Sequence, residues 1–216
     1  MSDAFYRLVR TIGYGPWRAS ARPVLLNRAR TMRHGAYILA ANHCCPYDIP
    51  ALVAHCHRPL DFLSIVEVFE YPVLAWFYGS MNAFPLDRSR PDPGTQRTIL
   101  RRLRAGRVIA LFPEGGFRSG EASVLQGGAI RPGLGRLSLM SQAPVIPCAI
   151  IGTEQYRRWT AWMPLMRTGY GLAFGAAMPP PAGKGSVDAF ENAYRRNMVA
   201  LGAELVEAMH RHVRPR

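Results

Sequence analysis

Short apolar runs alternate along this chain with amphipathic stretches, and that alternation limits the fold more than any other feature of the sequence. AYILAANH (36–43), RPLDFLSI (58–65), MNAFPLDR (81–88), RVIALFPEGG (107–116), PVIPCAIIG (144–152) and YGLAFGAAM (170–178) read as strands. Between and after them, residues 46–56, 68–79, 93–106, 131–143 and 189–212 carry apolar positions at helical spacing. A β-α rhythm of this kind predicts an α/β domain with a largely parallel central sheet flanked by helices, in which sites collect at the carboxyl ends of strands. At 216 residues and 49% hydrophobic content, with no repeat or low-complexity tract, the chain is expected to build a single core.

The formal net charge is +13, and nearly all the basic residues are arginine, the side chain suited to a bidentate grip on phosphate. The expected partner is therefore anionic. Nucleic acid is set aside, because the arginines are not interleaved with the aromatic pattern of an RNA-binding sheet and no zinc-finger spacing is present. Four irregularly spaced cysteines, with Arg7 and Arg10 breaking the first apolar positions, speak for a reducing, cytoplasmic setting rather than a secreted disulfide scaffold. No stretch reaches the roughly 20 apolar residues of a spanning helix.

The first 33 residues stand apart in charge. Phe5, Leu8, Val9 and Ile12 fall on one helical face, Gly13, Gly15 and Pro16 are expected to end that short helix, and Arg7, Arg10, Arg18, Arg22, Arg28, Arg30 and Arg33 face the single acid Asp3. We read 1–33 as a basic amphipathic segment that lies on an anionic membrane, and 34–216 as the α/β domain proper. The same face would also suit an ordinary covering helix.

The chemistry gathers in NHCCPYD (42–48), where a buried strand runs into a helix start. A neutral imidazole at His43 can take the proton of an attacking hydroxyl, and the Asp48 carboxylate can fix its tautomer and steady the imidazolium. Two other readings stay open at this point. Cys44 or Cys45 could serve as a thiolate nucleophile beside the histidine, and His43 and Asp48 could be a hydrogen-bonded junction with a helix-start carboxylate. The glycines of FPEGGFRSG would let main-chain N–H groups approach an anion. His55, His57, His210 and His212 lack carboxylate or cysteine partners at metal spacing, so no metal site is expected.

Taken in order, NHCCPYD, FPLDR, FPEGGFRSG and VIPCAI resemble the motif blocks of the glycerolipid acyltransferase family, whose best known members are 1-acylglycerol-3-phosphate acyltransferases. The resemblance covers about residues 36–152. It implies His43 as general base with Asp48 orienting it, and Arg88, Glu114, Gly115 and Arg118 binding the acceptor. It also implies a fatty acyl thioester, acyl-CoA or acyl carrier protein, as co-substrate, a lysophospholipid hydroxyl as acceptor, and neither metal nor bound cofactor. Arg131 stands where many members carry a lysine and also faces phosphate on this reading. Cys45 replaces the usual serine, and Gly116 and Phe117 replace a single threonine. The aromatic run 71–84 offers walls for an acyl chain. The alternatives are a thiol-dependent hydrolase or acyltransferase using Cys44 or Cys45, and a non-catalytic module that binds anionic lipid.

Overall fold

The structure, a computed structural model, describes residues 3–86 and 93–213. In chain order the described residues form α1 (Ala4–Ser20), β1 (Ala21–Leu26), β2 (Tyr37–Ala41), α2 (Asp48–His55), β3 (Leu60–Ile65), α3 (Pro72–Ser80), β4 (Phe84–Leu86), α4 (Pro93–Arg104), β5 (Val108–Leu111), α5 (Leu134–Ser141), β6 (Val145–Ile151), β7 (Thr168–Phe174) and α6 (Val187–Val213). One seven-stranded sheet runs β1-β7-β6-β2-β5-β3-β4. Every pair is parallel except β6 with β7.

β2 sits at the centre and is buried along its whole length, as its unbroken apolar run requires of a strand covered on both faces. Its alternating side chains divide the core. Tyr37, Leu39 and Ala41 pack with Tyr6 and Trp17 of α1 and Leu52 of α2, while Ile38 and Ala40 pack with Ile99 of α4, Leu134 of α5 and Tyr194 of α6. The expected α/β architecture with a mostly parallel sheet is thus the one observed, and each of the six strands read from the sequence is present.

The amino-terminal region departs from expectation in two ways. The helix does not stop at Gly13 but runs through Pro16 to Ser20, because Trp17 anchors its far end. The Trp17 ring stacks on Tyr156 at 4.4 Å and its indole N–H donates to the Tyr170 hydroxyl at 2.6 Å. Residues 21–26 then form β1, an edge strand beside β7 that the sequence reading did not contain. Pro23 interrupts its pattern, and an edge is where a sheet tolerates proline. At the other end of α1, Asp3 pairs with Arg107 at 2.9 Å, and Arg107 and Arg102 both bind the buried Asp61. Residues 3–33 are therefore continuous with the sheet and its core, while Leu8 and Ile12 stay exposed at 54% and 66%.

The Tyr170 oxygen accepts the Trp17 indole N–H and lies 2.5 Å from His55 Nε2, so the three rings share one buried hydrogen-bonded chain. His55 is buried and neutral, and burial with the nearby Arg28 and Arg10 charges lowers it to about 4. The unfolded chain takes up a proton here below about pH 6.5 while the folded one does not until about pH 4, so stability is full above the upper value and falls through that window on acidification. We expect a loss of about 2 kcal/mol between pH 7 and pH 5 from this group. Urea midpoints at the two pH values, wild type against His55→Gln, measure it; an equal acid loss in the variant would refute the assignment.

Candidate active site

Asn42 closes the β2 end by completing the ladder to β6 with its side chain. Its amide donates to Ile150 O at 2.9 Å and its carbonyl accepts Ile150 N–H at 2.7 Å. The main chain of the next residue is held from the β5 loop on both sides, by a carboxylate on one and a peptide N–H on the other. His43 N–H donates to Glu114 Oε2 at 2.6 Å, and His43 O accepts Arg118 N–H at 2.7 Å. The ring lies against Phe112, stacked at 3.8 Å and 10°, with Phe117 tilted at 4.5 Å.

His43 Nδ1 and Asp48 Oδ2 are 2.8 Å apart, with the carboxylate fully buried at the first turn of α2. The same oxygen accepts the N–H groups of Cys44 at 2.8 Å and Cys45 at 3.0 Å, and the other accepts the Thr153 hydroxyl at 2.5 Å. Burial alone would raise the Asp48 carboxyl, yet the hydrogen bonds from His43, Thr153 and Cys45 N–H bring it below its ordinary value. An ionised carboxylate only accepts, so Nδ1 carries the imidazole proton and Nε2 keeps its lone pair.

Glu114 is buried, and its carboxylate is engaged inside the fold. Oε2 takes His43 N–H, while Oε1 takes Ser123 Oγ–H at 3.1 Å and Val124 N–H at 2.7 Å. Burial pushes this carboxyl above its ordinary value against the pull of those donors. Gly115 has φ +72°, and a Cβ there would come 2.2 Å from Arg131 Nε, so only glycine lets the Arg131 side chain cross the turn. Arg131 N–H donates to Pro113 O at 2.8 Å, which brings that arginine to the same loop. Arg118 is exposed beside His43, and Arg88 lies outside the described residues.

The two thiols face Asp48 rather than the imidazole. Cys44 Sγ is 3.2 Å and Cys45 Sγ 3.6 Å from Asp48 Oδ1. The hydrogen bond between the two thiols splits them: with burial and the Asp48 charge it pushes the Cys44 thiol well up, while the same bond brings the buried Cys45 thiol below its ordinary value against burial and the Asp48 charge. Two cavities approach the site. One of about 370 Å³ lies among Leu63, Ile99, Phe112, Gly115, Arg131 and Leu137. The other, of about 520 Å³, is walled by α1, α2 and α3 through Val9, Trp17, Tyr47, Ile49, Phe77, Tyr78 and Met81.

Asn42, Phe112, Ser123 and Thr153 were not marked by the sequence reading. Asn42 opens the quoted motif and Thr153 follows a strand end, so both had a positional signal. Their bonding partners are about a hundred residues away in sequence and had none.

The fold and the pair together define a class: an α/β chain that presents a carboxylate-oriented imidazole at the carboxyl edge of its sheet. A sequence profile described as acyltransferase matches residues 24–151, a span that holds His43, Asp48 and Glu114. The chain belongs to the acyltransferase family. It is 26% identical over 127 residues to a 1-acyl-sn-glycerol-3-phosphate acyltransferase of Bacillus subtilis, covering 58% of this chain and 61% of that one. An uncharacterized protein of Mycobacterium tuberculosis is 30% identical over 162 residues, 68% of this chain and 42% of its own. The chain thus spans less than two thirds of these relatives. The crystal structure of the 1-acyl-sn-glycerophosphate (LPA) acyltransferase PlsC from Thermotoga maritima superimposes with a TM-score of 0.66 at 18% identity, covering 92% of this chain and 78% of that one. The shared fold is what that likeness establishes.

Proposed function

We propose that this chain transfers a fatty acyl group from an acyl thioester, acyl-CoA or acyl carrier protein, to the hydroxyl of a lysophospholipid, with 1-acylglycerol-3-phosphate the leading acceptor. The observation that carries the reading is the buried 2.8 Å bond from His43 Nδ1 to Asp48, which leaves Nε2 as an acceptor. The acceptor hydroxyl attacks the thioester carbonyl while its proton passes to Nε2. The tetrahedral intermediate then expels the thiolate, which takes the proton back from the imidazolium that Asp48 steadies. Arg118 and Arg131 grip the acceptor phosphate, Arg131 from beside the Gly115 turn, and the resemblance adds Arg88 to them. Glu114 holds the His43 main chain in place, and the 520 Å³ groove, walled in part by Phe77, Tyr78 and Met81, takes an acyl chain. No metal or bound cofactor enters this scheme.

A product assay with a panel of lysolipid acceptors, each offered acyl-CoA and acyl carrier protein, tests the reading directly. Formation of a diacylated product with at least one phosphate-bearing acceptor is expected. Thioester hydrolysis without transfer, or lipid binding with no turnover of any acceptor, would replace it with one of the other two functions.

The substrates are amphiphiles, and the reading includes peripheral attachment to an anionic bilayer. Among the described residues no helix is long and apolar enough to cross a membrane. The outer face of α1, with Leu8 and Ile12, adjoins α3 through the Phe5–Trp76 ring contact at 5.1 Å, and Val73 and Trp76 are exposed at 77% and 62%. Arginines flank this apolar rim, and each contributes on the order of 1 kcal/mol near an anionic surface. Replacing Leu8 and Ile12 together by Glu should weaken binding to anionic vesicles by about 2 kcal/mol or more, over tenfold, since it removes apolar burial and adds repulsion. Thermal unfolding should barely change, because both side chains face outward. Vesicle sedimentation decides, and undiminished binding would remove α1 from the attachment surface.

A further inference from the structure

We propose that Cys44, Cys45 and Asp48, together with the Thr153 hydroxyl, form a site for a thiophilic divalent cation such as zinc, and that filling it silences the His43–Asp48 pair. The silencing half rests on the acyltransferase reading; the binding half does not.

The two sulfurs and Asp48 Oδ1 already stand close to three corners of a tetrahedron, and Thr153 Oγ1 lies near the fourth, where its hydrogen bond to Oδ1 must open from 2.5 Å to about 3.3 Å for both oxygens to bind one ion. A zinc ion bound at about 2.3 Å to sulfur and about 2.0 Å to oxygen spaces its ligands about 3.8 Å apart for two sulfurs and about 3.5 Å for sulfur and oxygen. Here the two sulfurs are 4.0 Å apart, and Asp48 Oδ1 lies 3.2 and 3.6 Å from them. Thr153 Oγ1 caps that triangle at 3.3 Å from Cys44, 3.4 Å from Cys45 and 2.5 Å from Asp48 Oδ1. These three donors from cysteine and aspartate lie within 4.8 Å of one another. Cys44 is half-buried, and the exposed Glu154 carboxylate, 3.8 Å from its sulfur, stands at the mouth of the site.

Binding exchanges two thiol protons for the cation: two S–H bonds break, two metal–sulfur bonds form, and two protons leave to solvent. The charge of this buried cluster is unchanged by the exchange, so its desolvation adds little cost. The cation would sit on Oδ1 of the carboxylate whose Oδ2 orients His43. With the net charge unchanged, its effect is on geometry: pulling Oδ1 toward the metal turns the carboxylate away from the position in which Oδ2 holds His43 Nδ1–H, so the imidazole loses the partner that orients it. A soft cation thus acts as an inhibitor at a position one bond removed from the base, without touching Nε2.

The test uses the full chain with its thiols reduced, titrated with zinc against a chromophoric chelator. We expect one tight equivalent in the wild type, and binding about a hundredfold weaker or more when Cys44→Ser and Cys45→Ser are combined. Zinc should also shield Cys44 and Cys45 of the wild type from thiol alkylation, read by peptide mapping, a measurement that needs no variant to fold. Equal zinc affinity in the two proteins, or undiminished alkylation of both cysteines, overturns the site. In the turnover arm, zinc should lower acyl transfer at least tenfold and a chelator should restore it; full turnover with one equivalent bound overturns the silencing. Should the protein acylate no acceptor at all, the binding and alkylation results still decide the site, and the acyltransferase reading fails separately.

Discussion

His43→Ala removes acyl transfer and Asp48→Asn lowers turnover about a thousandfold or more, while the protein with Cys44→Ala and Cys45→Ala combined keeps most of it. A positioned general base contributes about 10²- to 10⁴-fold, and fixing the wrong tautomer of such a base can cost about as much. Asparagine at 48 would offer its NH₂ group to Nδ1. The imidazole would then carry its proton on Nε2, the nitrogen that must accept one. The same substitution withdraws one of two oxygens from a carboxylate that takes bonds from His43, Cys44 N–H, Cys45 N–H and Thr153. The cysteine contribution to that network is chiefly main-chain, which is why removing both thiols leaves the carboxylate held. Single-turnover kinetics on variants with unchanged circular dichroism check the set. A folded but inactive double-cysteine variant, beside a His43→Ala protein that still turns over, would transfer the chemistry to the thiols.

The junction that carries His43 was legible because two local signals coincide there. An apolar run long enough for a fully buried strand ends directly in a polar motif, and the helix that follows has Asp48 in its first turn, where a carboxylate is favoured. The amino-terminal region was less legible because tertiary contacts override its local pattern. Gly13, Gly15 and Pro16 are helix breakers on propensity, but Trp17 buried against Tyr156 and Tyr170 carries the helix past them. Arg22 and Pro23 hide an edge strand whose pairing partner lies almost 150 residues further on. The antiparallel step between β6 and β7 has no sequence signal either, since a run such as YGLAFGAAM reads the same in both directions of pairing.

The pocket side is where local reading reaches its limit. Glu114 follows a strand in a glycine-rich turn, a place where a charged group commonly meets a ligand, and the resemblance puts it against the acceptor. In the fold its partners are one residue 71 positions away and two others 9 and 10 positions away, all of them donors inside the protein. No periodicity or spacing could reveal that convergence. The motif preserves the glutamate and leaves open whether it serves the substrate or the loop that carries the base.

Glu114→Ala distinguishes those two roles, and we expect it to act on the protein before it acts on the substrate. The substitution leaves His43 N–H, Val124 N–H and the Ser123 hydroxyl without their acceptor in a buried place, at about 1 to 3 kcal/mol for each donor that water does not reach. A loss of about 3 kcal/mol or more in unfolding free energy should follow, a large part of the stability of a domain this size. Turnover of the folded fraction should fall as well, because the bond to His43 N–H is one of two that bracket the base between β2 and the β5 loop. Glu114→Gln keeps one carbonyl oxygen and should fall between the two, with its NH₂ group facing at least one of the orphaned donors. Urea denaturation gives the stability, and kcat against acceptor KM gives the role. If Glu114→Ala were as stable as the wild type and raised acceptor KM with kcat unchanged, the carboxylate would belong to the acceptor site; a fall in kcat and stability with acceptor KM little changed makes it the residue that holds His43 in position.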